Sequence, residues 1–286
     1  MKRGALIVPV LFLSLLLCSL LMPGDCEWVA LALMICAGIP HGSFDLRVAE
    51  AKWRRSPASR ATILSVYIGS VIAMAGLCVF VPLVGLLLFL GISLIHFSEG
   101  ELHATVPPAV VLGSLLAFSA ILLPIGLHPD LAQLYLRFFV PRDLLDAMEK
   151  PLLFAASTAA LMLSTMILAA IYHERGAARA EAVQRLLCLL AWIILPPLSG
   201  FAVWFIGRHS RQHLEVCHAL FTEGRFRVPI DFLVISALAM VGLLPFTLLF
   251  DFSRIEEVFA AAICLIAGLT LPHMVVSHRI RDVKPT

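Results

Sequence analysis

The chain has 286 residues, of which 60% are hydrophobic and 14% are charged, and its formal net charge is +2. A soluble domain of this length has too little interior to bury so much apolar surface, so the composition predicts an integral membrane protein. The small net charge argues against a nucleic-acid partner. The seven cysteines include no Cys-x-x-Cys pair, which argues against a structural zinc or an iron–sulfur site.

Apolar runs of about 20 residues recur along the chain, which is the length that a helix needs to cross the ~30 Å hydrocarbon core of a bilayer. We predict an all-α, polytopic membrane bundle that forms one membrane-embedded catalytic domain over residues 1–286. The predicted spans are 5–22, 28–45, 61–80, 84–103, 108–126, 151–172, 184–196, 198–219, 229–250 and 256–277. The seventh is short, so eight to ten spans fit the sequence. The segment 127–150 mixes aromatic and charged residues, which indicates an interfacial helix.

The distribution of lysine and arginine predicts the orientation of this bundle. If the N-terminus is cytoplasmic and ten spans alternate, the inner segments carry 15 of the 21 basic residues and the outer segments carry four. Cytoplasmic loops of membrane proteins are rich in lysine and arginine. We therefore predict that both termini are cytoplasmic.

Ionisable side chains inside a membrane are costly and usually face a bundle interior or a cavity. Here they concentrate in the even-numbered spans, all of which run from outside to inside. Five histidines come late in those spans, namely His41, His96, His209, His213 and His273. The rise of a helix places all five at a similar depth in the inner half of the bilayer, which independent core histidines would not share.

The spacing of these histidines favours a metal site. His209 and His213 are four residues apart, so both imidazoles lie on one helix face and can reach one ion. That spacing is common by itself, but the shared depth of His41 and His96 strengthens it. Imidazole is the usual ligand of iron, zinc and copper. His273 is predicted either to bind the metal or to contact the metal-binding residues without binding the metal itself.

Two carboxylates are placed to support such a site. Asp45 follows His41 by four residues, and Glu99 follows His96 by three. Metal-bound histidines normally donate their second N–H to a carboxylate or a carbonyl. We therefore expect Asp45 and Glu99 to orient a ligand on their own or a neighbouring helix, and to offset the charge of the ion.

Proline precedes two of the histidines. Pro40 comes before His41 and Pro272 before His273. Each proline removes a main-chain hydrogen bond, so each is predicted to kink its helix and turn the following imidazole towards the bundle axis.

The order of these motifs resembles that of the Brp/Blh family of β-carotene 15,15'-dioxygenases, over about residues 28–277. The matching motifs are Pro40-His41-Gly42 with Asp45, His96-Phe97 with Glu99, His209 with His213, and Pro272-His273-Met274. The resemblance implies a polytopic membrane enzyme that uses O₂ and a histidine-bound non-haem Fe(II) to cleave the central double bond of β-carotene into two molecules of retinal. No separate acid or base is assigned.

The resemblance also implies which residues hold the iron. The ligands it implies are His41, His96, His209 and His213, with His273 as a fifth ligand or an outer group. The implied partners are a carotenoid dissolved in membrane lipid, O₂, and a rhodopsin that receives retinal. The implied location is a bacterial or archaeal cytoplasmic membrane.

Four positions depart from the family pattern. Ser43 and Phe44 follow the first motif where an alanine and an aliphatic residue are common, and Gln212 stands where a basic residue is common. Arg208 stands where an aromatic residue often precedes the histidine. A charge beside the metal would alter an apolar substrate channel, so these departures bear on the substrate and leave the ligands unchanged.

Alternative functions remain open from the residues alone. A proton or metal-ion transporter would also use intramembrane histidines and carboxylates, although it would need them along a path across the membrane. Another membrane iron oxygenase, acting on a different apolar substrate, is equally compatible. A di-iron desaturase or hydroxylase is disfavoured, because its His-x-x-His-His boxes are absent from the sequence.

Overall fold

A computed structural model describes residues 6–53, 60–101, 107–221, 237, 241 and 244–278. Regular structure in this part of the chain is helical, with no strand. The α-helices are α1 (Ile7–Leu21), α2 (Cys26–His41), α3 (Asp45–Lys52), α4 (Arg60–Phe80), α5 (Pro82–Glu101), α6 (Pro107–Leu127), α7 (Pro129–Leu136), α8 (Arg142–His173), α9 (Gly176–Ile194), α10 (Pro197–Trp204), α11 (Arg211–Phe221) and α12 (Ile255–Ser277). A π-helical turn covers Phe205–Ser210, and a 3₁₀-helix covers Leu244–Leu248.

Several of these helices are consistent with membrane insertion. Among the described residues, four are long and apolar enough to cross a bilayer: Ala61–Phe80, Pro82–Glu99, Arg142–His173 and Glu256–Ser277. A fifth candidate is the pair Val111–Leu127 and Pro129–Leu136, bent by 104°. The all-α prediction is confirmed. The predicted span 229–250 lies largely outside the described residues, and the count of ten stays a prediction.

The predicted second span, 28–45, is interrupted. The helix α2 ends at His41, a turn closed by a 3.1 Å hydrogen bond from the Asp45 amide to the Gly42 carbonyl follows, and α3 begins at Asp45. Pro40 therefore lies in the last turn of α2, the predicted span 28–45 is not one continuous helix, and the kink at Pro40 stays a prediction.

Two other boundaries differ from the prediction. The segment 127–150 contains α7 and the first turns of α8, so the predicted sixth span begins earlier and passes through Pro151. The bend between α6 and α7 shows that α7 does not continue in the direction of the candidate span α6. The predicted span 198–219 is divided by the π-helical turn.

The chain divides into two compact units, each of which is described by itself. The first unit comprises Met1–Ala37, Gly100–Leu134 and Arg142–Arg211. The second unit comprises Gly38–Glu99, Tyr135–Pro141 and Gln212–Thr286. The organisation of residues 1–286 as a single catalytic domain stays a prediction.

Small residues allow close helix packing in the first unit. A Cβ atom built on Gly126 of α6 would lie 2.7 Å from the Ala156 Cβ and 2.8 Å from the Leu152 carbonyl oxygen of α8. Similarly, a Cβ atom on Gly200 of α10 would lie 2.7 Å from the Ala191 carbonyl oxygen of α9. Membrane helices lack a hydrophobic force that joins them, so such close backbone approach provides much of their attraction.

A buried carboxylate joins α2 to the start of α10 in the same unit. Glu27 accepts hydrogen bonds from the Leu198 and Ser199 amides, both at 3.0 Å, and from the Ser199 hydroxyl at 2.8 Å. An acceptor at the first turn satisfies amides that have no partner within the helix. Glu27 therefore has a structural role.

The second unit is built around α4 and α12, which pack along each other. A Cβ atom on Gly268 of α12 would lie 3.0 Å from the Val71 carbonyl oxygen of α4. The helix α3 is fixed beside them by the hydrophobic cluster that includes Val48 and Val276, and by a 2.6 Å hydrogen bond from the Lys52 ammonium group to the Val276 carbonyl. These interactions hold the start of α3 near the end of α12.

The packing of Gly126 yields a stability prediction. Gly126→Ala should lower the free energy of unfolding by about 1–3 kcal/mol, because the added methyl group meets backbone that cannot move away. Thermal or denaturant unfolding in detergent measures this loss.

Gly69→Ala in α4 is the matched control, because nothing lies within 4 Å of a Cβ atom there. Its helix should be unchanged or stabilised by up to about 1 kcal/mol. Equal stability of the two variants would contradict the close approach of α6 and α8.

Candidate metal centre

Four histidines of the second unit, His41, His96, His213 and His273, place their rings together and are called the histidine cluster. The ring centroid of His41 lies 4.4 Å from that of His213, 4.6 Å from that of His273 and 6.1 Å from that of His96. The His273 centroid lies 4.9 Å from that of His96 and 5.0 Å from that of His213. The four rings come from the end of α2 and from α5, α11 and α12, so the cluster depends on packing between distant parts of the sequence.

Asp45 supports this cluster through His273. Its Oδ1 and Oδ2 atoms lie 2.8 Å and 3.0 Å from the His273 Nδ1 atom, and the Tyr67 hydroxyl donates to Oδ2 at 2.7 Å. Asp45 was expected to orient a ligand on its own or a neighbouring helix, and its contact is with the neighbouring helix α12. The carboxylate is 1% exposed.

The electrostatics of Asp45 favour a cation nearby. The residue is almost fully buried, so its carboxylate has lost most of its contact with water. A carboxylate that has lost water regains stability from adjacent positive charge. A metal ion bound by the neighbouring imidazoles would supply that charge.

The other ring nitrogen of His273 has no hydrogen-bond partner in the described part of the chain. Its Nε2 atom is buried and makes no hydrogen bond with any residue that the structure describes. Leaving a buried polar group unpaired costs about 1–3 kcal/mol. An imidazole with a carboxylate on Nδ1 and a vacant Nε2 has the arrangement of a metal ligand.

Two other cluster histidines have weaker local partners. The His213 Nε2 atom lies 3.4 Å from the Cys217 sulfur one helical turn later, and the His96 Nδ1 atom lies 3.5 Å from the Ser277 hydroxyl. The contact of His96 is long for a hydrogen bond, and the thiol that contacts His213 is a weak hydrogen-bonding group. Both contacts therefore restrain these rings less firmly than Asp45 restrains His273.

His209 lies in the first unit and is described there. It occupies the π-helical turn, is buried, and stacks on Trp204 and Phe205 at centroid distances of 5.3 Å and 5.7 Å. π-Helical turns are rare and often occur at functional sites. The role of His209 as a ligand stays a prediction.

The Glu99 carboxylate contacts a histidine at the end of the neighbouring helix α12. Its carboxylate lies 2.6 Å from the Nδ1 atom of His278, directly after the end of α12, and both side chains are partly exposed. Glu99 is nearly one turn beyond His96 on α5, so it reaches outwards to the helix end. The role of Glu99 in orienting a ligand on its own or a neighbouring helix stays a prediction.

Arg208 is buried and ion-paired, unlike an arginine that anchors a helix at the membrane interface. It is 1% exposed and forms a 3.0 Å salt bridge with Glu181 of α9, which Arg185 also contacts at 3.3 Å. A buried guanidinium requires such a partner. The predicted influence of Arg208 on a substrate channel stays a prediction.

The donor set fits a metal ion. One ligand nitrogen from each of His41, His213 and His273 can be chosen so that all three lie within 4.8 Å of one another. Nitrogens bound to one ion at ~2.1 Å are separated by at most about 4 Å, so small ring rotations close the difference. Several imidazoles without thiolates suit iron, zinc or copper.

Comparison with known proteins identifies the family of this chain. A family model described as Beta-carotene 15,15'-dioxygenase matches residues 32–280. The chain belongs to the β-carotene 15,15'-dioxygenase family. The resemblance found in the sequence motifs is thereby confirmed, and the family is one of carotenoid-cleaving dioxygenases.

A curated member of this family is moderately similar to the chain. The Beta-carotene 15,15'-dioxygenase of uncultured marine bacterium 66A03 is 26% identical over 199 residues, which cover 66% of this chain and 68% of that protein. No solved structure matches the chain.

Sequence reasoning missed Tyr67. It is one of three tyrosines in the chain and lies within the apolar run 61–80. A buried tyrosine hydroxyl usually finds a hydrogen-bond partner, so its position in that run was a signal of a polar contact. The sequence could not identify the partner, Asp45, because it lies 22 residues away on another helix.

The contact between Asp45 and His273 predicts how the metal site responds to a neutral substitute. Asp45→Asn should weaken metal affinity about 10–100-fold, because a neutral amide accepts a weaker hydrogen bond from Nδ1–H and no longer offsets the charge of the ion. Titration of the purified chain with Fe(II) under anaerobic conditions measures the affinity.

Asp130→Asn is the control, since Asp130 is exposed at the start of α7. It should bind Fe(II) like the unsubstituted chain. Unchanged affinity in Asp45→Asn would contradict the supporting role of Asp45.

Proposed function

We propose that this chain cleaves the central double bond of β-carotene with O₂ to give two molecules of retinal. The reaction breaks one carbon–carbon double bond and places one oxygen atom on each carbon, so no external reductant is needed. The observation that carries the proposal is the buried histidine cluster in a member of this dioxygenase family. A related apolar substrate of the carotenoid class would use the same chemistry.

The proposed cofactor is Fe(II), held by His41, His96, His209 and His213 with His273 as a fifth ligand. The ring distances within the histidine cluster support four of these residues, and the vacant Nε2 atom supports His273 in particular. The inclusion of His209 rests on the resemblance to the family. Bound iron would supply the activation of O₂ that the side chains cannot provide.

The surrounding residues would keep the site dry and balance its charge. Phe44 and Phe97 are buried, and the Phe97 ring lies 5.8 Å from that of His96. Neutral imidazoles leave the charge of a divalent ion uncompensated, so the Asp45 carboxylate offsets part of it. Exclusion of water strengthens these interactions and protects reactive oxygen chemistry.

The proposed setting is a bacterial or archaeal cytoplasmic membrane. Ten spans with both termini in the cytoplasm would place the metal in the inner half of the bilayer, and the excess of basic residues in the inner segments supports this orientation. A substrate dissolved in lipid could then enter between helices. Retinal released into the same membrane would be available to a rhodopsin.

Expression in bacteria that accumulate β-carotene tests the activity. The unsubstituted chain should remove the orange colour and produce retinal, measured by chromatography of extracted pigments. His213→Ala should reduce retinal to background, because it removes a proposed ligand. His173→Ala, at an exposed position at the end of α8, should retain activity.

Other outcomes of this assay separate the alternatives. Carotene that persists beside iron-loaded protein would contradict β-carotene as the substrate. Proton or metal-ion flux in proteoliposomes without O₂ consumption would contradict the enzyme and favour a transporter.

Metal analysis tests the nature of the centre. The purified chain should hold one iron ion per chain, and His273→Ala should lower that occupancy while His173→Ala does not. Elemental analysis together with protein quantification gives the ratio. Two iron ions per chain would contradict a mononuclear site.

A further inference from the structure

We propose that Tyr67 is a positioning residue for the metal site: its hydroxyl holds the Asp45 carboxylate so that His273 directs Nε2 towards the ion. This inference deepens the proposed function and rests on it. Tyr67 touches neither metal nor substrate in this proposal and acts through Asp45.

The direction of the hydrogen bonds follows from the chemistry of the groups. An ionised carboxylate only accepts hydrogen bonds, so the Tyr67 hydroxyl donates to Oδ2 at 2.7 Å. The Nδ1 atom of His273 donates to Oδ1 at 2.8 Å. Among the described side chains, the hydrogen-bond partners of this carboxylate are Tyr67, which contacts Oδ2, and His273, which lies within 3.0 Å of both oxygens. Tyr67 therefore limits rotation of the carboxylate about its Cβ–Cγ bond.

This arrangement selects one tautomer of His273. A carboxylate that accepts from Nδ1–H leaves the lone pair on Nε2, which is the atom without a partner among the described residues. If the carboxylate rotated, it would lose alignment with the imidazole and the ring could turn. Fixing the carboxylate therefore fixes the direction of the metal-binding lone pair.

The local packing places Tyr67, Asp45 and His273 around the backbone of Gly42. A Cβ atom built on Gly42 would lie 3.4 Å from Asp45 Oδ2, 3.7 Å from His273 Nδ1 and 3.8 Å from the Tyr67 hydroxyl. The backbone at Gly42 thus lies against all three side chains. Side chains larger than a methyl group would compete with them for this space.

The packing of α4 against α12 sets the position of Tyr67 along α4 relative to that of His273 along α12. The two helices approach closely at Gly268 and Val71, where a Cβ atom on the glycine would lie 3.0 Å from the Val71 carbonyl oxygen. Val71 is one helical turn from Tyr67, and Gly268 is five residues from His273. Close backbone packing at this point therefore holds the hydroxyl and the imidazole within hydrogen-bond distance of the same carboxylate.

The alternative is that Tyr67 only fills space, since its ring also packs against the hydrophobic cluster containing Phe44 and Val48. Tyr67→Phe separates the two roles, because it keeps the ring and removes the hydroxyl. The other two tyrosines provide matched controls. Tyr135 is buried with its ring 4.3 Å from that of Phe259, and Tyr172 is 84% exposed on α8.

The experiment titrates the full-length purified chain with Co(II), whose visible absorption bands report the ligand geometry. Tyr67→Phe should weaken Co(II) affinity about 10-fold or more and shift these bands, because the His273 imidazole is less firmly directed. Tyr135→Phe and Tyr172→Phe should bind Co(II) like the unsubstituted chain. Thermal unfolding of the metal-free proteins should show Tyr67→Phe to be less stable than the two controls but cooperatively folded, because the buried Asp45 carboxylate loses a hydrogen-bond donor.

Activity provides a second readout. Tyr67→Phe should lower kcat for carotenoid cleavage and leave KM unchanged, since the hydroxyl does not contact the substrate. A substitution that only loosened the packing would lower thermal stability and leave Co(II) affinity and absorption bands unchanged, which would overturn the inference. Equal affinity and spectra in Tyr67→Phe and the unsubstituted chain would also overturn it.

Failure of the proposed function gives different results. If the unsubstituted chain binds no Co(II) or Fe(II), both the metal assignment and the positioning role of Tyr67 are wrong. If it binds metal, responds to Tyr67→Phe as expected and forms no retinal, the positioning role stands and the proposed substrate is wrong.

Discussion

The contact between the Asp45 carboxylate and the His273 imidazole is the interaction on which the second unit depends. A carboxylate taken out of water is strongly destabilised unless hydrogen bonds and positive charge replace its solvation. Two neighbouring helices supply hydrogen-bond partners for this carboxylate. The helix α12 presents His273, α4 presents the Tyr67 hydroxyl, and the close approach of Gly268 to α4 keeps these two helices together. The position of one buried charge thus constrains how α3, α4 and α12 pack.

Buried polar groups in this protein fall into two kinds, and their partners distinguish them. Glu27 accepts three hydrogen bonds at the start of α10, and Arg208 is paired with Glu181, so both stabilise the packing between helices of the first unit. His273 is different because one ring nitrogen is firmly bound and the other has no partner among the described residues. A buried donor or acceptor left unpaired is costly, and natural structures usually keep such a group for chemistry.

Two of the proposed ligands lie where regular helix geometry changes. The helix α2 ends at His41, and His209 lies in the π-helical turn between α10 and α11. A side chain in the middle of a regular helix has its direction set by the helical repeat, whereas the end of a helix or a π-helical turn changes that direction. These irregular positions are therefore suited to side chains that must meet residues from other helices.

The sequence by itself determined the all-α class, the apolar helices near 61–80 and 256–277, and the family, because hydrophobic runs and short motifs are local properties of the chain. It also identified the histidines that α2, α5, α11 and α12 bring together. Only the tertiary structure decided that Asp45 contacts His273, that Glu99 contacts His278, and that Tyr67 joins the site. Helical periodicity shows which residues share a face of one helix, but the partner on another helix depends on how the two helices pack, and that packing joins residues far apart in the chain.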